Sequence, residues 1–291
     1  MSARNIHLLM IDPQRDFCQK GNPRLLDVLK NAGVPKEEWP DNLLPGSLFV
    51  PGADEDMARL SSFILKNKDR FSEIHCTLDS HQLVHIAHAL FWVNSKGEHP
   101  NIFTLITVDD VRNGTWRAFN PRFQKRALAY VEQLAKNGRY VLCIWPPHCL
   151  IGTWGHSVVP SVAAALAEWE TTKFNRVNYV TKGSNFLTEH YSGVQADVPD
   201  DNDPSTKLNT GLIDALTEAD EIVITGEALS HCVANTVRDV AAKFGVDNVR
   251  KFTLLQDTTS NVPGPDFEKM GRNFVMELAG KGMKLTTTKD W

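Results

Sequence analysis

The sequence lacks long apolar runs and tracts of basic residues. Because no segment approaches the ~18 consecutive apolar residues that span a bilayer, we expect no membrane association. Lysine and arginine together number 31 against 35 aspartates and glutamates, a net charge of −4, and they form no cluster. A chain without a basic cluster lacks the positively charged surface that binds nucleic acid, so we expect no nucleic-acid partner.

Cysteine is scarce, and its spacing argues against a disulfide-linked protein. The chain holds five cysteines, which are Cys18, Cys76, Cys143, Cys149 and Cys232. Their number is odd and no C-x-x-C pair occurs, which favours reduced thiols in the cytosol. The N-terminal apolar run is also too short for a signal peptide. We therefore expect a soluble cytoplasmic protein.

Short apolar runs indicate the strands of one sheet. They are IHLLMI (6–11), IHCTL (74–78), NYVTK (178–182), EIVITG (221–226), KFTLLQ (251–256) and, as a weaker candidate, MKLTT (283–287). Most of them are nearly continuously apolar, as expected for parallel strands that are covered on both faces.

Segments with helical spacing alternate with these strands. Apolar residues recur at helical intervals over 57–64, 158–169, 208–218, 231–244 and 265–280. Such alternation predicts an α/β protein with three layers, α/β/α, around a central and mainly parallel sheet. With 291 residues and 42% hydrophobic content, the chain can bury one large core. We expect a single domain over residues 1–291.

Two segments are longer than a connection between a strand and a helix requires. Residues 18–50 are rich in proline, glycine and charge, which predicts a long loop with a short helix near 25–31. Residues 83–143 contain one strong helical pattern, RFQKRALAYVEQLAKNG (122–138), which ends at Asn137-Gly138 as a helix C-terminus should. We interpret both segments as loop insertions in the domain.

Chemically active residues follow the predicted strands at one edge of the sheet. In open α/β sheets, ligands bind beyond the carboxyl ends of the strands. The residues at those ends are Asp12, Asp79, His81, Lys182 and Cys232. A carboxylate, an ammonium group and a thiol would therefore meet in one place.

Cys232 is the candidate nucleophile. It opens a helix after a buried strand, where the helix dipole and a nearby Lys182 would favour a thiolate, so we expect a thiol more acidic than usual. Asp12 could take the thiol proton and return it to a leaving amine. The backbone N–H groups of Ala228 and Cys232 could hold an oxyanion. Taken singly, the same residues could be an inert buried thiol, a surface lysine and a turn-forming aspartate.

A second cluster has the composition of a metal site. Asp79 and His81 lie two residues apart, and His148 could complete a set of three ligands with open positions for water. A carboxylate and neutral imidazoles suit Zn²⁺, and Fe²⁺ or Mn²⁺ are alternatives. His85 and His88 are further candidates. A histidine-rich loop without any ligand is the other interpretation.

Several motifs resemble those of nicotinamidases and the wider isochorismatase-like cysteine hydrolases. Residues 11–17 (IDPQRDF) resemble the opening D-x-Q-x-D-F segment, and 226–232 (GEALSHC) resembles the G-x-A-x-x-x-C motif. Between them lie Asp79-Ser80-His81 with His85, Trp145-Pro146-Pro147-His148-Cys149, and Lys182 followed by Tyr191-Ser192-Gly193. All of them occur in the order of the family and span most of the chain.

The resemblance implies the Rossmann-like, isochorismatase-like hydrolase fold and an amidohydrolase activity. It implies a triad in which Cys232 attacks a carboxamide, Asp12 moves protons and Lys182 supports the charge. It further implies that Asp79, His81 and His148 hold a divalent metal. Phe17 and Trp145 would flank the substrate ring, and the peptide bond between Glu227 and Ala228 would be cis.

The sequence departs from the family pattern close to the metal motif. Ser80 stands where an aromatic residue is usual, and His88 stands where phenylalanine is common. The segment between His81 and His148 is also much longer than in short nicotinamidases. These differences leave the implied triad complete but bear on the identity of the substrate.

The leading hypothesis is hydrolysis of nicotinamide to nicotinate and ammonia through a thioester. An amidase of the same mechanism that acts on another small carboxamide or carbamoyl compound is the alternative. A metal-hydroxide hydrolase would retain activity without Cys232, and a binding or redox-sensing protein would show no turnover. The sequence leaves open whether the chain forms a homo-oligomer.

Overall fold

A parallel sheet forms the centre of the protein. The computed structural model describes residues 4–40 and 43–291. The strands, in chain order, are β1 (Ile6–Ile11), β2 (Glu73–Asp79), β3 (Trp92–Val93), β4 (Leu105–Ile106), β5 (Arg117–Ala118), β6 (Leu142–Cys143), β7 (Asn178–Lys182), β8 (Glu221–Gly226), β9 (Phe252–Leu255) and β10 (Lys284–Thr286). Six of them form one sheet in the order β10-β9-β8-β1-β2-β7, with every neighbouring pair parallel. This confirms the predicted sheet.

Helices cover both faces of the sheet. They are α1 (Arg15–Cys18), α2 (Pro23–Asn31), α3 (Ala53–Asn67), α4 (Val108–Arg112), α5 (Gln124–Lys136), α6 (Pro160–Lys173), α7 (Thr210–Thr217), α8 (Ala234–Phe244) and α9 (Phe267–Gly280). Helix α3 packs against α6, and α8 packs against α7 and α9. The connection from β1 to β2 and the connection from β8 to β9 run in opposite directions across the sheet. Because such connections are right-handed, the two groups of helices lie on opposite faces. The predicted three-layer α/β/α architecture is confirmed.

The strand positions match the sequence predictions, most clearly for the inner strands of the sheet, which are buried. β1 and β8 are buried at every position, which explains their continuous apolar runs. β10 is the weakest of the six in sequence and lies at the edge of the sheet with two exposed residues. One apolar core cluster reaches from β1 to α9 and includes residues of the 83–143 segment.

The segment 83–143 is more ordered than its sequence suggests. It contains α5, as predicted, and two short antiparallel ladders that were not predicted, β3 with β5 and β4 with β6. Trp92 and Tyr130 of this segment are fully buried. It is therefore packed onto the core.

The segment 18–50 contains the predicted short helix as α2, whose N-terminus is capped by the Asn22 side chain. Positions 41–42 of this segment lie outside the described residues. No helix in the described ranges is both long and apolar enough to cross a bilayer.

Candidate active site

Lys182 connects the residues that were predicted from the strand ends. It is the last residue of β7 and lies directly beside Asp79, the last residue of β2. Its Nζ lies 2.8 Å from Asp12 Oδ2, 3.1 Å from Asp79 Oδ1 and 3.6 Å from Cys232 Sγ. The lysine is buried. The structure thus brings the three candidate catalytic residues together and joins them to the first candidate metal ligand.

Asp12 is held in a fixed orientation next to the lysine. Its φ of 45° places it in the left-handed region, immediately after β1. Its backbone N–H donates to the carbonyl and the hydroxyl of Thr77, at 3.2 and 3.1 Å. The Thr77 hydroxyl donates back to Asp12 Oδ1 at 2.5 Å, which leaves Oδ2 to face Lys182. Sequence reasoning missed Thr77, because a threonine inside a strand gives no signal of this role.

Cys232 lies in a tight segment between β8 and α8. Residues Leu229–Val233 form a π-helical turn, and α8 begins directly after it. Turns of this kind are frequent at functional sites. The peptide bond between Glu227 and Ala228 is cis, as the resemblance implies. Ala228 and Cys232, the two candidate oxyanion residues, line the same cavity.

The thiol of Cys232 is not acidic in this environment, so the expectation from its position at a helix start is wrong. Burial raises its pKa well above the usual range, and although Lys182 lowers it, Asp12 and Asp79 raise it further. Burial also raises the pKa of Asp12, against the opposing effect of Lys182. A protonated thiol therefore faces a carboxylate that is more basic than an ordinary aspartate.

Asp79, His81 and His148 form a compact set of ligand atoms. Asp79 Oδ2 lies 3.0 Å from His81 Nε2 and 3.2 Å from His148 Nε2. Metal bonds of about 2.0–2.2 Å place neighbouring ligand atoms roughly 3.0–3.6 Å apart, so the set fits a divalent ion. His148 Nδ1–H donates to Pro146 O at 2.8 Å, which leaves the Nε2 lone pair free to bind.

The charge on these groups also suits a cation. Burial alone would raise the pKa of Asp79, but His81 and Lys182 hold it well below its usual range. The carboxylate is therefore ionised and available as a ligand.

Two further histidines, His85 and His88, lie beside this set and differ in whether a ring nitrogen is free to bind a metal. Both nitrogens of His85 are occupied, since Nδ1 accepts from Ala87 N–H at 3.1 Å and Nε2–H donates to Thr188 O at 3.2 Å. His88 Nδ1–H donates to Leu83 O at 3.1 Å, and its buried Nε2 has no partner among the described residues. Burial lowers the pKa of His88 to about 3, so the ring is neutral. Of the two, only His88 offers a free nitrogen.

A small cavity lies between the thiol and the metal set. It is lined by Phe17, Leu48, Asp79, Trp145, His148, Glu189, Tyr191, Ala228, His231, Cys232 and Val262. The two predicted ring-flanking residues, Phe17 and Trp145, are both present. Phe17 packs edge-on against His148 with ring centroids 5.3 Å apart, and Trp145 Nε1–H donates to the Tyr191 hydroxyl at 2.9 Å. The cavity lining is therefore partly aromatic and partly polar.

Glu189 is a cavity residue that sequence reasoning missed. Its Oε1 lies 3.7 Å from His81 Nε2 and accepts the His190 N–H at 2.8 Å. Its buried Oε2 has no partner among the described residues. The only available signal was its place between Lys182 and Tyr191, inside a segment that the motifs had already marked.

The first motif also contains residues that support the site. Gln14 exchanges two hydrogen bonds with the backbone of Asp79, both at 2.7 Å. Asp16 accepts the N–H of Cys149 at 2.6 Å and the N–H of Ser47 at 3.0 Å. Gln14 therefore aligns β2 with the end of β1, and Asp16 ties together two loops that surround the cavity.

Several nicotinamidases have structures similar to that of this chain. A nicotinamidase/pyrazinamidase from Acinetobacter baumanii is 17% identical, with a TM-score of 0.60 and 99% of each chain covered. The yeast nicotinamidase bound to nicotinaldehyde is 21% identical, with a TM-score of 0.59, 97% of this chain and 99% of that chain covered. The chain has the nicotinamidase fold. A pyrazinamidase from Pyrococcus horikoshii in complex with zinc is 18% identical, with a TM-score of 0.51 and coverage of 97% and 99%.

No protein-family model and no curated protein matches the sequence. The structural similarity over nearly the whole chain establishes the nicotinamidase fold, while the reaction has to be argued from the site.

Proposed function

We propose that this protein is an amidohydrolase that converts nicotinamide to nicotinate and ammonia. The observation that carries the proposal is the position of Lys182, whose Nζ contacts Asp12, Asp79 and the thiol of Cys232 at once. A thiol, a proton acceptor and a fixed positive charge are the groups that thioester chemistry requires. The nicotinamidase fold of the chain agrees with this assignment.

The acylation step uses the chain's own groups. Cys232 passes its proton to Asp12, whose raised pKa makes the transfer easier, and the sulfur attacks the amide carbon. The negative oxygen that forms is held by the backbone N–H groups of Ala228 and Cys232. Asp12 then gives the proton to the leaving nitrogen, so that ammonia departs and a thioester remains on Cys232.

In the hydrolysis of the thioester, water is the attacking group and the sulfur of Cys232 is the leaving group. Asp12 takes a proton from water, the hydroxyl adds to the thioester carbon, and the proton returns to the sulfur as nicotinate is released. Lys182 keeps a positive charge beside both states, since burial lowers its pKa but the charges of Asp12, Asp79 and Cys232 raise it well above its usual range.

The residues Asp79, His81 and His148 would hold the divalent metal, with Zn²⁺ preferred and Fe²⁺ or Mn²⁺ as alternatives. When bound there, the metal supplies a Lewis acid for the pyridine nitrogen of the substrate. Phe17 and Trp145 would contact the ring faces and exclude water. A zinc complex of a pyrazinamidase with the same fold is consistent with this set.

A comparison of nicotinamide with benzamide tests the proposal. The two amides differ only in the ring nitrogen, so a site that binds this nitrogen should give nicotinamide a much larger kcat/KM. Acetamide and a set of carbamoyl compounds complete the panel. If benzamide is hydrolysed as well as nicotinamide, or a carbamoyl compound is preferred, the substrate assignment is wrong and the alternative amidase is supported.

A further inference from the structure

Side chains of the types that bind metals also lie close together at the opposite end of the sheet. His7 is the second residue of β1, and Glu73 and His75 belong to the start of β2. His7 pairs in register with Glu73, and His75 lies two residues further, so all three side chains project from the same face. We call these three residues the strand-start cluster. The candidate active site lies beyond the other ends of the same strands.

The ligand atoms of the strand-start cluster have the spacing of a metal site. His75 Nε2 lies 3.1 Å from His7 Nδ1 and 3.5 Å from Glu73 Oε2. One ligand atom from each of the three residues lies within 4.8 Å of the other two. Zinc bonds of about 2.0–2.2 Å require neighbouring ligand atoms roughly 3.0–3.6 Å apart, which the two distances from His75 satisfy.

Burial and charge prepare these side chains for a cation. His7 and His75 are almost fully buried, whereas the side chain of Glu73 is 48% exposed and closes the group towards solvent. Each ring has a nitrogen that accepts a hydrogen bond, since His75 Nδ1 accepts from the Asn178 amide and His7 Nδ1 accepts from His75, so both rings are neutral. The carboxylates of Glu73 and Glu218 add negative charge beside His7.

We propose that the strand-start cluster is a second divalent-metal site, separate from the active site and selective for a borderline ion such as Zn²⁺. Two imidazoles and one carboxylate are a ligand set that zinc uses, with a water molecule in the remaining position. Such a site would tie β1 to β2 where the sheet begins. Occupancy would stabilise the folded chain, because the ligands are not assembled in the unfolded chain.

Metal binding requires a change in the hydrogen bonds of His75. With no metal bound, the Asn178 amide donates to His75 Nδ1 at 3.0 Å, so the ring carries its proton on Nε2 and donates to His7. On binding, this proton moves to Nδ1 through solvent, with no net release. The Asn178 amide turns so that its oxygen accepts the new N–H, an arrangement typical of zinc-bound histidines.

Zinc stoichiometry on the full chain tests this proposal. Wild type, Glu73→Gln, His75→Gln and His148→Ala are dialysed against zinc sulfate, and bound zinc is counted by mass spectrometry. We expect Glu73→Gln and His75→Gln each to bind one zinc ion fewer than wild type, whereas His148→Ala keeps the strand-start ion. Glu73 is exposed, so Glu73→Gln decides the result if His75→Gln does not fold.

The outcomes separate this proposal from the proposed function. If wild type binds one zinc ion that His148→Ala retains and Glu73→Gln loses, the second site stands and the active-site metal does not. If Glu73→Gln and His75→Gln bind as much zinc as wild type, the strand-start site is refuted.

A substitution of Asn178 tests the hydrogen bond between Asn178 and the proposed ligand His75. Asn178→Ala should weaken zinc binding at this site about 10–100-fold, as is usual for the loss of such a partner. The nitrogen NMR signals of His75 should report proton transfer from Nε2 to Nδ1 when zinc is added. Unchanged affinity together with an unchanged tautomer would contradict the proposal.

Discussion

Lys182 is the residue on which the charge balance of the site depends. Its buried ammonium group is the shared partner of Asp12 and Asp79, which lie 2.8 and 3.1 Å away. Substitution Lys182→Met should abolish amide hydrolysis and lower the free energy of unfolding by about 3–5 kcal/mol, because two buried carboxylates lose their partner. Denaturant titration and a turnover assay measure both effects.

A surface lysine provides the control for this substitution. Lys20 pairs with Asp54 at 3.6 Å, and its side chain is 64% exposed. Lys20→Met should change the free energy of unfolding by no more than about 1 kcal/mol. Equal effects of the two substitutions would show that Lys182 has no special electrostatic role.

We expect His231 to make the stability of the protein depend on pH. It is buried among aromatic rings, with Trp145 and Phe267 at centroid distances of 5.2 and 4.7 Å, and burial lowers its pKa to about 3. Below the usual histidine pKa of about 6.5, the unfolded chain binds a proton that the folded chain refuses, so stability falls as the pH falls. His231→Gln should reduce this slope by up to about 1.4 kcal/mol per pH unit between pH 6 and pH 4.

The free energy of unfolding, measured by urea titration from pH 8 to pH 4, checks this expectation. Values at pH 8 report only the packing change, because the histidine is neutral in both states there. Parallel curves for the variant and wild type would mean that His231 does not titrate on unfolding.

At the scale of elements, the sequence predicted the strands of the central sheet. It did not predict the two short ladders or the π-helical turn. The inner strands β1 and β8 were predictable because both of their faces are covered, which requires continuous apolar runs. The ladders β3–β5 and β4–β6 were not predictable. Each of their strands has only two residues, which is too few to show the alternation of apolar and polar residues that indicates a strand. The π-helical turn at Cys232 also has no sequence signature that differs from an ordinary helix start.

The end of β7 gives a test at the scale of elements. Gly183 follows Lys182 with a φ of 86°, and a Cβ placed there would lie 2.9 Å from Asp79 Oδ1 and 3.1 Å from His81 Cε1. Gly183→Ala should therefore displace two candidate metal ligands, weaken metal binding at the active site and lower the free energy of unfolding. Metal titration and denaturant unfolding measure these effects.

Gly138 is the matched control, because its φ is 63° and a Cβ there would meet nothing within 4 Å. Gly138→Ala carries only the backbone penalty of about 1–3 kcal/mol for a left-handed residue. Gly183→Ala should cost more than this. An identical cost with unchanged metal affinity would show that the close approach at Gly183 is unimportant.

At the scale of the whole molecule, the parallel sheet explains why residues so distant in sequence meet. Asp12, Asp79 and Lys182 all lie at the carboxyl ends of adjacent strands, in the order β1-β2-β7. This convergence could be predicted from the sequence, because the edge of a parallel sheet is a general binding position. Thr77 and Glu189 could not be predicted, since their roles depend on side-chain packing that spacing does not encode. The expectation of one domain over residues 1–291 stays a prediction.

The most direct test of the account is ammonia release from nicotinamide by wild type and by Cys232→Ala, each with and without a chelator. Cys76→Ala serves as the control, because Cys76 is a buried free thiol on β2 that takes no part in the proposed reaction. We predict turnover by wild type and Cys76→Ala, none by Cys232→Ala, and loss of wild-type activity with the chelator. Turnover by Cys232→Ala at the wild-type rate would contradict the account.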